Sequence, residues 1–192
     1  MTTKPIQVVV GFNFSNSAGS ALRYAIDLAR HSAGRVFHFA CIIDPHSGVP
    51  NVPIDRKVDY VYAEKVQQAL TARIEHELGG DPAAETIHFF VHARIGDPEK
   101  EILRLAEGVG ADLIVVGCVG LTGVERIVLG SVAETIVRSA GCAVMVARPK
   151  TYADVELLPV VEVAPSHHYV PPHRYSYEDA RIIERPPDWP LY

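Results

Sequence analysis

Residues 110–131 read GADLIVVGCVGLTGVERIVLGS, an apolar run that ends at Gly117 and gives way to a loop with glycines at 117, 120, 123 and 130. A short stretch of Leu, Ile and Val bounded by glycine has the composition of a strand buried on one or both faces. Beyond Ser131, Val132, Ile136 and Val137 recur at helical spacing. The segment is a strand–loop–helix junction, and Ser131 stands where a side-chain oxygen would cap the helix.

The same alternation runs along the chain on either side. Ile6–Gly11, Val36–Ile43, Thr86–Arg94, Leu113–Val116 and Ala143–Ala147 are rich in Val, Ile and Phe and read as five strands. Between them lie four amphipathic helical patterns, carried by Ala18, Ala21, Leu22, Ala25 and Ala29, by Val66, Leu70, Ile74 and Leu78, by Ile102, Leu103, Ala106 and Val109, and by the helix after Ser131. Asp97-Pro98-Glu99 supplies an N-cap, a proline at the first helical position and an acid matched to the helix dipole. Strands that alternate with helices need crossover connections, which build a parallel sheet with helices on both faces. The fold class is α/β, a doubly wound five-stranded parallel sheet.

Two stretches interrupt the pattern. Pro45–Asp59 carries prolines at 45, 50 and 53 and reads as a long, mobile loop after the second strand. From Thr151 onward the composition changes, with seven of the fourteen prolines and seven acids against three bases in residues 151–192. The domain is therefore assigned to residues 1–150, and residues 151–192 form an acidic extension containing proline and histidine. Within it Ser176 has the surroundings of a helix cap, and His167, His168 and His173 read as part of a solvated proline-rich segment rather than a metal site.

Composition narrows the function. The chain has 192 residues, nearly half of them apolar, and a formal net charge of −5 without a Lys/Arg-rich stretch, so nucleic acid and membrane are not expected partners. The opening MTTKPIQVVVGFN has too short an apolar run for a signal peptide. Cys41, Cys118 and Cys142 fit no zinc-site spacing and read as reduced thiols of a cytoplasmic protein, with Cys118 the one redox candidate. His88 and His92, four apart on a strand, would stand about 13 Å apart and cannot share an ion, so they read as structural histidines. No G-x-S-x-G elbow or triad motif is present and no catalytic residue is assigned, so enzymatic activity is left open.

In an open parallel sheet, ligands bind beyond the carboxyl ends of the strands where strand order reverses. Glycines permit close backbone approach and a helix N-terminus attracts anions, so phosphate is the natural guest of the loop after Gly117, although composition alone favours reading Gly117, Gly120, Gly123 and Gly130 as turn residues. Neither G-x-x-x-x-G-K-[S/T] nor a G-x-G-x-x-G following a strand is present.

The spacing G-x2-G-x9-G-S, met by Gly117, Gly120, Gly130 and Ser131, instead resembles the ATP-binding signature of the universal stress protein family. The likeness extends from Val8 to about Arg148, through Asn13–Leu22 (NFSNSAGSAL), Gly96-Asp97-Pro98, the run from Gly110 to Gly117, and Gly130-Ser131-Val132-Ala133-Glu134. It implies strand order 3-2-1-4-5, a homodimer through the last strand, and ATP with or without magnesium or manganese. By position it implies that Val116 and Gly117 end the strand at the site, that Gly117, Gly120 and Gly130 line the phosphates, that Ser131 and the Val132 amide bind them, and that the Ile42 backbone meets adenine. Where the family usually has an aspartate this chain has Asn13, which keeps an acceptor and loses the charge. The function implied is an adenine-nucleotide-binding regulatory module with an unidentified protein partner. The alternatives are a nucleotide-free dimeric interaction protein and, last, a slow ATP hydrolase.

Overall fold

A computed structural model describes residues 4–31, 34–80, 87–118, 129–150, 160–162 and 175–177. The chain divides into two compact units, Met1–Pro149 and Lys150–Tyr192. In the first, the β-branched runs become the strands β1 (Ile6–Gly11), β2 (Arg35–Ile43), β3 (His88–Ile95), β4 (Leu113–Gly117) and β5 (Ala143–Ala147). They alternate with helices α1 (Asn16–Arg30), α2 (Tyr60–Leu78), α3 (Pro98–Val109) and α4 (Ser131–Ser139). The sheet is parallel throughout, in the order β3-β2-β1-β4-β5.

Side chains alternate across the sheet and feed two cores. On one face Val8, Val10, Phe37, Phe39, Cys41 and Ile43 pack with Leu22, Ile26, Val66, Leu70 and Ile74 of α1 and α2. On the other, Val9, Ala40, Ile42, Ile114 and Val116 pack with Ile102, Leu105, Ala133 and Ile136 of α3 and α4. Burial in the first core pushes the Cys41 thiol up to about 12, which removes it from thiolate chemistry. Cys118 is buried as well.

Several local expectations are corrected. Asp97 occupies the cap position of α3 but makes no side-chain cap, because its carboxylate pairs with Lys100 Nζ at 2.9 Å. Gly130, not Ser131, is the cap residue of α4, and Ser131 is the first residue of the helix. The Pro45–Asp59 segment is tied down rather than loose. The Tyr62 hydroxyl accepts from Val49 N at 3.1 Å and donates to Val52 O at 2.7 Å. Val49 and Val52 are themselves buried in the α1/α2 core. Lys65 Nζ donates to Pro53 O at 3.0 Å and pairs with Asp55.

In the second unit, β6 (Val160–Glu162) pairs antiparallel with β7 (Tyr175–Tyr177), Val161 opposite Ser176. Ser176 therefore lies in a strand and does not begin a helix. The tail histidines lie outside the described residues, as does Arg126, a charge inside the glycine loop after Gly117. No helix among the described residues is long and apolar enough to cross a membrane.

Candidate functional site

After β1 the chain turns to α1 on one face of the sheet, and after β4 it turns to α4 on the other. The carboxyl ends of β1 and β4 thus flank the point where strand order reverses. Val116 is buried and Gly117 half-buried at the end of β4, while Gly130, Ser131 and Val132 open α4. The intervening loop is closed at its base by Gly130 N donating to Cys118 O at 2.8 Å. That bond brings the end of β4 and the start of α4 together. Gly120, the remaining glycine of the motif, lies outside the described residues.

α4 begins without a side-chain cap, which leaves its first-turn amides to another acceptor. An anion is the natural one. Glu134 in that turn is paired with Arg138 at 2.9 Å. Among the described residues no group of three or more His, Cys, Asp or Glu is placed to hold a metal.

Ile42 is buried near the end of β2. Phe12 N donates to Ala40 O at 2.8 Å, and Gly96 N donates to Ile43 O at 3.0 Å. Even-numbered residues of this part of β2 therefore face β1 and odd-numbered ones face β3, since backbone groups alternate sides along a strand. The N–H and C=O of Ile42 point to the side that β1 has already left at Gly11, and no bond to either is found among the described residues. Just beyond, Asp44 Oδ1 accepts from Ser47 N at 2.7 Å and His46 N at 2.8 Å. These backbone bonds, Ser47 first, hold its carboxyl below the usual carboxylate range.

Asn13 lies in the turn from β1 to α1. Its Oδ1 accepts from Ser15 N at 3.2 Å and from Ser15 Oγ at 2.6 Å, while Ser15 Oγ caps α1 by accepting from Ala18 N at 3.2 Å. The oxygen that was expected to serve as an acceptor for ligand is thus engaged in fixing the helix start, and the amide NH2 is the group left over. Phe14, at φ 59°, follows in the left-handed region and sets its ring edge-on to Phe12 at 4.9 Å.

Gly117 has a structural reason to be glycine that the sequence did not reveal. A Cβ there would lie 2.6 Å from Ser17 Oγ, 2.7 Å from Ser17 C and 2.8 Å from Ser17 O. The first turn of α1 crosses β4 at a distance that admits no side chain. The site residues are therefore gathered by two devices, the close crossing of α1 over β4 and the bond from Gly130 to Cys118, with Ile42 contributed by β2 on the far side of β1.

Comparison with known proteins agrees with this fold. The model of the universal stress protein family matches residues 6–148. A universal stress protein of Methanocaldococcus jannaschii is 31% identical over 145 residues, which cover 74% of this chain and 81% of the relative. Universal stress protein UspA from Lactobacillus plantarum has the same fold, with a TM-score of 0.55 at 21% identity over 77% of this chain and 100% of that one. A universal stress protein solved in complex with cAMP has a TM-score of 0.52 at 25% identity, over 76% and 98% of the two chains.

Proposed function

The chain belongs to the universal stress protein family, and on that premise we propose that it is a regulatory module that binds an adenine nucleotide, ATP, in the crevice beyond β1 and β4. The observation that carries this reading is the Ile42 backbone: a donor and an acceptor on a buried residue, both turned to the crevice with no partner among the described residues. Backbone N–H and C=O groups are nearly always paired with protein, water or ligand, so this donor and acceptor are free to take a ligand. Adenine presents an amino donor beside a ring acceptor, the complement of a backbone C=O and N–H. The relative solved with cAMP holds an adenine nucleotide, which supports the same reading.

The residues present fit such a ligand. Ile42 takes the base, Val116 and Gly117 form the floor at the end of β4, and Gly130, without a side chain at the start of α4, leaves room for phosphate. The uncapped first turn of α4 offers the Val132 amide and the Ser131 hydroxyl to phosphate oxygens, with the helix dipole favouring their charge. Magnesium or manganese, when it accompanies ATP, neutralises phosphate charge. Asn13 brings no carboxylate to it and contributes its NH2 as a donor. Among the described residues none is placed as a general base, so no hydrolytic step is derived.

Regulation follows if nucleotide-bound and free states present different surfaces to a partner. The assembly we propose is a homodimer through β5, the sheet edge next to β4, where Met145 of β5 and Val137 of α4 are partly exposed. A second reading, a nucleotide-free protein that acts by association, is favoured by one observation. The packing of α1 by itself accounts for Gly117, and the capping of α1 for the Asn13 oxygen. Native mass spectrometry of the purified chain separates the two. An adenine nucleotide retained by the wild type and lost from Gly130→Val supports the first reading, and bare protein after incubation with millimolar ATP supports the second.

A further inference from the structure

On the face of the sheet that carries α3, strands β1, β2 and β3 hold a chain of polar groups unrelated to the crevice. Gln7 of β1, His38 of β2, and Phe90 and His92 of β3 share that face by register. His38 is only 6% exposed, although it sits in the apolar run RVFHFACII. Its Nε2 lies 3.0 Å from Gln7 Oε1, and its Nδ1 lies 3.1 Å from His92 Nε2. The Phe90 ring, itself 57% exposed, stacks on the His38 imidazole at 5.2 Å and 14°.

The protons in this chain can be assigned. Gln7 Nε2 donates to Pro5 O at 3.2 Å, so Gln7 Oε1 is the atom turned to His38. His38 Nε2–H donates to that oxygen, which makes His38 Nδ1 the acceptor and His92 Nε2–H the donor to it. Each link fixes the next across three strands. With one imidazole protonated the link survives as an N–H···N bond, but once both are protonated two N–H groups face each other across 3.1 Å and the link between β2 and β3 opens. If His92 is protonated, its charge stands beside Arg94, whose guanidinium is 3.4 Å from Glu101, itself shared with Arg104 of α3.

We propose that the Gln7–His38–His92 chain is a proton-operated clasp that holds edge strand β3 against β2 while both imidazoles are neutral and loosens it on acidification. The other charged groups around it do not offset the added charge. Asp112, just before β4, accepts from the Gln7 backbone N–H at 2.8 Å, and Glu64 of α2 lines an outer groove of about 470 Å³ beside Val91–Arg94. His88, two residues before Phe90 on the same strand face, is a further imidazole and not a counter-charge. Consistently, burial lowers His38, and burial, His38 and Arg94 together pull His92 down to about 4. With folded values below the ordinary 6.5, the unfolded chain binds more protons, so the stabilisation is complete above about pH 6.5 and is lost as pH falls toward 4.

The test compares the full chain with its His92→Gln variant, whose side-chain amide still donates to His38 Nδ1 but does not titrate. Between pH 7.5 and 4.5 the wild-type Tm is expected to fall about 3–5 °C further than that of the variant. Imidazole NMR of the wild type should show His38 as the Nε2–H tautomer and His92 unprotonated above pH 5.5. Amide exchange, corrected for its intrinsic pH dependence, should show β3 losing protection before β1 and β4. Equal pH slopes in the two proteins overturn the proposal. So does a His92 that titrates near 6.5 in the wild type with β3 protection unchanged, a measurement that decides the matter even if the variant does not fold.

Discussion

Replacing Gly117 by alanine places a methyl group 2.7 Å from the backbone carbon of Ser17 and 2.8 Å from its oxygen, well inside ordinary contact distance. The neighbour is helix backbone, so relief requires the first turn of α1 to move away from β4 as a unit. Overpacking of this kind costs about 1–3 kcal/mol, and alanine returns about 0.5–1 kcal/mol by restricting the unfolded chain. The net loss, roughly 0.5–2 kcal/mol, corresponds to a Tm lowered by about 1–8 °C in a chain of this size. The assay is thermal unfolding of the protein without nucleotide, because a glycine kept only for ligand approach would leave that Tm unchanged. Adding Ser17→Gly removes the 2.6 Å contact with Oγ but keeps both backbone contacts, so it should recover less than half of the loss. An unchanged Tm in Gly117→Ala, or full rescue by Ser17→Gly, would refute the reasoning.

Tyr62→Phe leaves Val49 N–H and Val52 C=O buried without partners, so it should destabilise by about 1–3 kcal/mol and speed tryptic cleavage at Arg56 and Lys57. Gly130→Val should abolish ATP binding with little change in Tm, since the glycine's φ of −62° is open to any residue while a branched side chain obstructs phosphate. Asn13→Asp keeps an oxygen for Ser15 and adds a charge, so ATP affinity should rise selectively with magnesium or manganese present, as read by titration with and without the cation.

Much of the frame is legible because it depends on local composition. Ile6–Gly11 and Ala143–Ala147 form strands at those bounds, since short runs rich in valine with proline or glycine close by at their ends leave little choice. The strand order came from the family likeness, not from any property of the individual runs, and the sheet agrees with it. What escaped the sequence depends on partners far along the chain. His38 looks like an oddity in an apolar run until register sets it beside His92, 54 residues away. The Pro45–Asp59 segment looks loose by its prolines because the Tyr62 hydroxyl that fastens it sits inside the next helix. Gly117 and Asn13 belong to a recognisable motif, yet the crossing of α1 over β4 and the bonds to Ser15 exist only in three dimensions. Helix ends were the least legible, as at Gly130 and Ser131, where the absence of a cap is itself the useful feature.

The central claim is that the crevice beyond β1 and β4 takes an adenine nucleotide through the Ile42 backbone and the open start of α4. Isothermal titration of the full chain with ATP, with GTP as control, tests it most directly. The expected result is a dissociation constant in the micromolar range, about −8 kcal/mol, for ATP and much weaker binding for GTP. Absence of binding at millimolar ATP, with or without magnesium, contradicts the claim, and so does equal affinity for ATP in the wild type and in Gly130→Val.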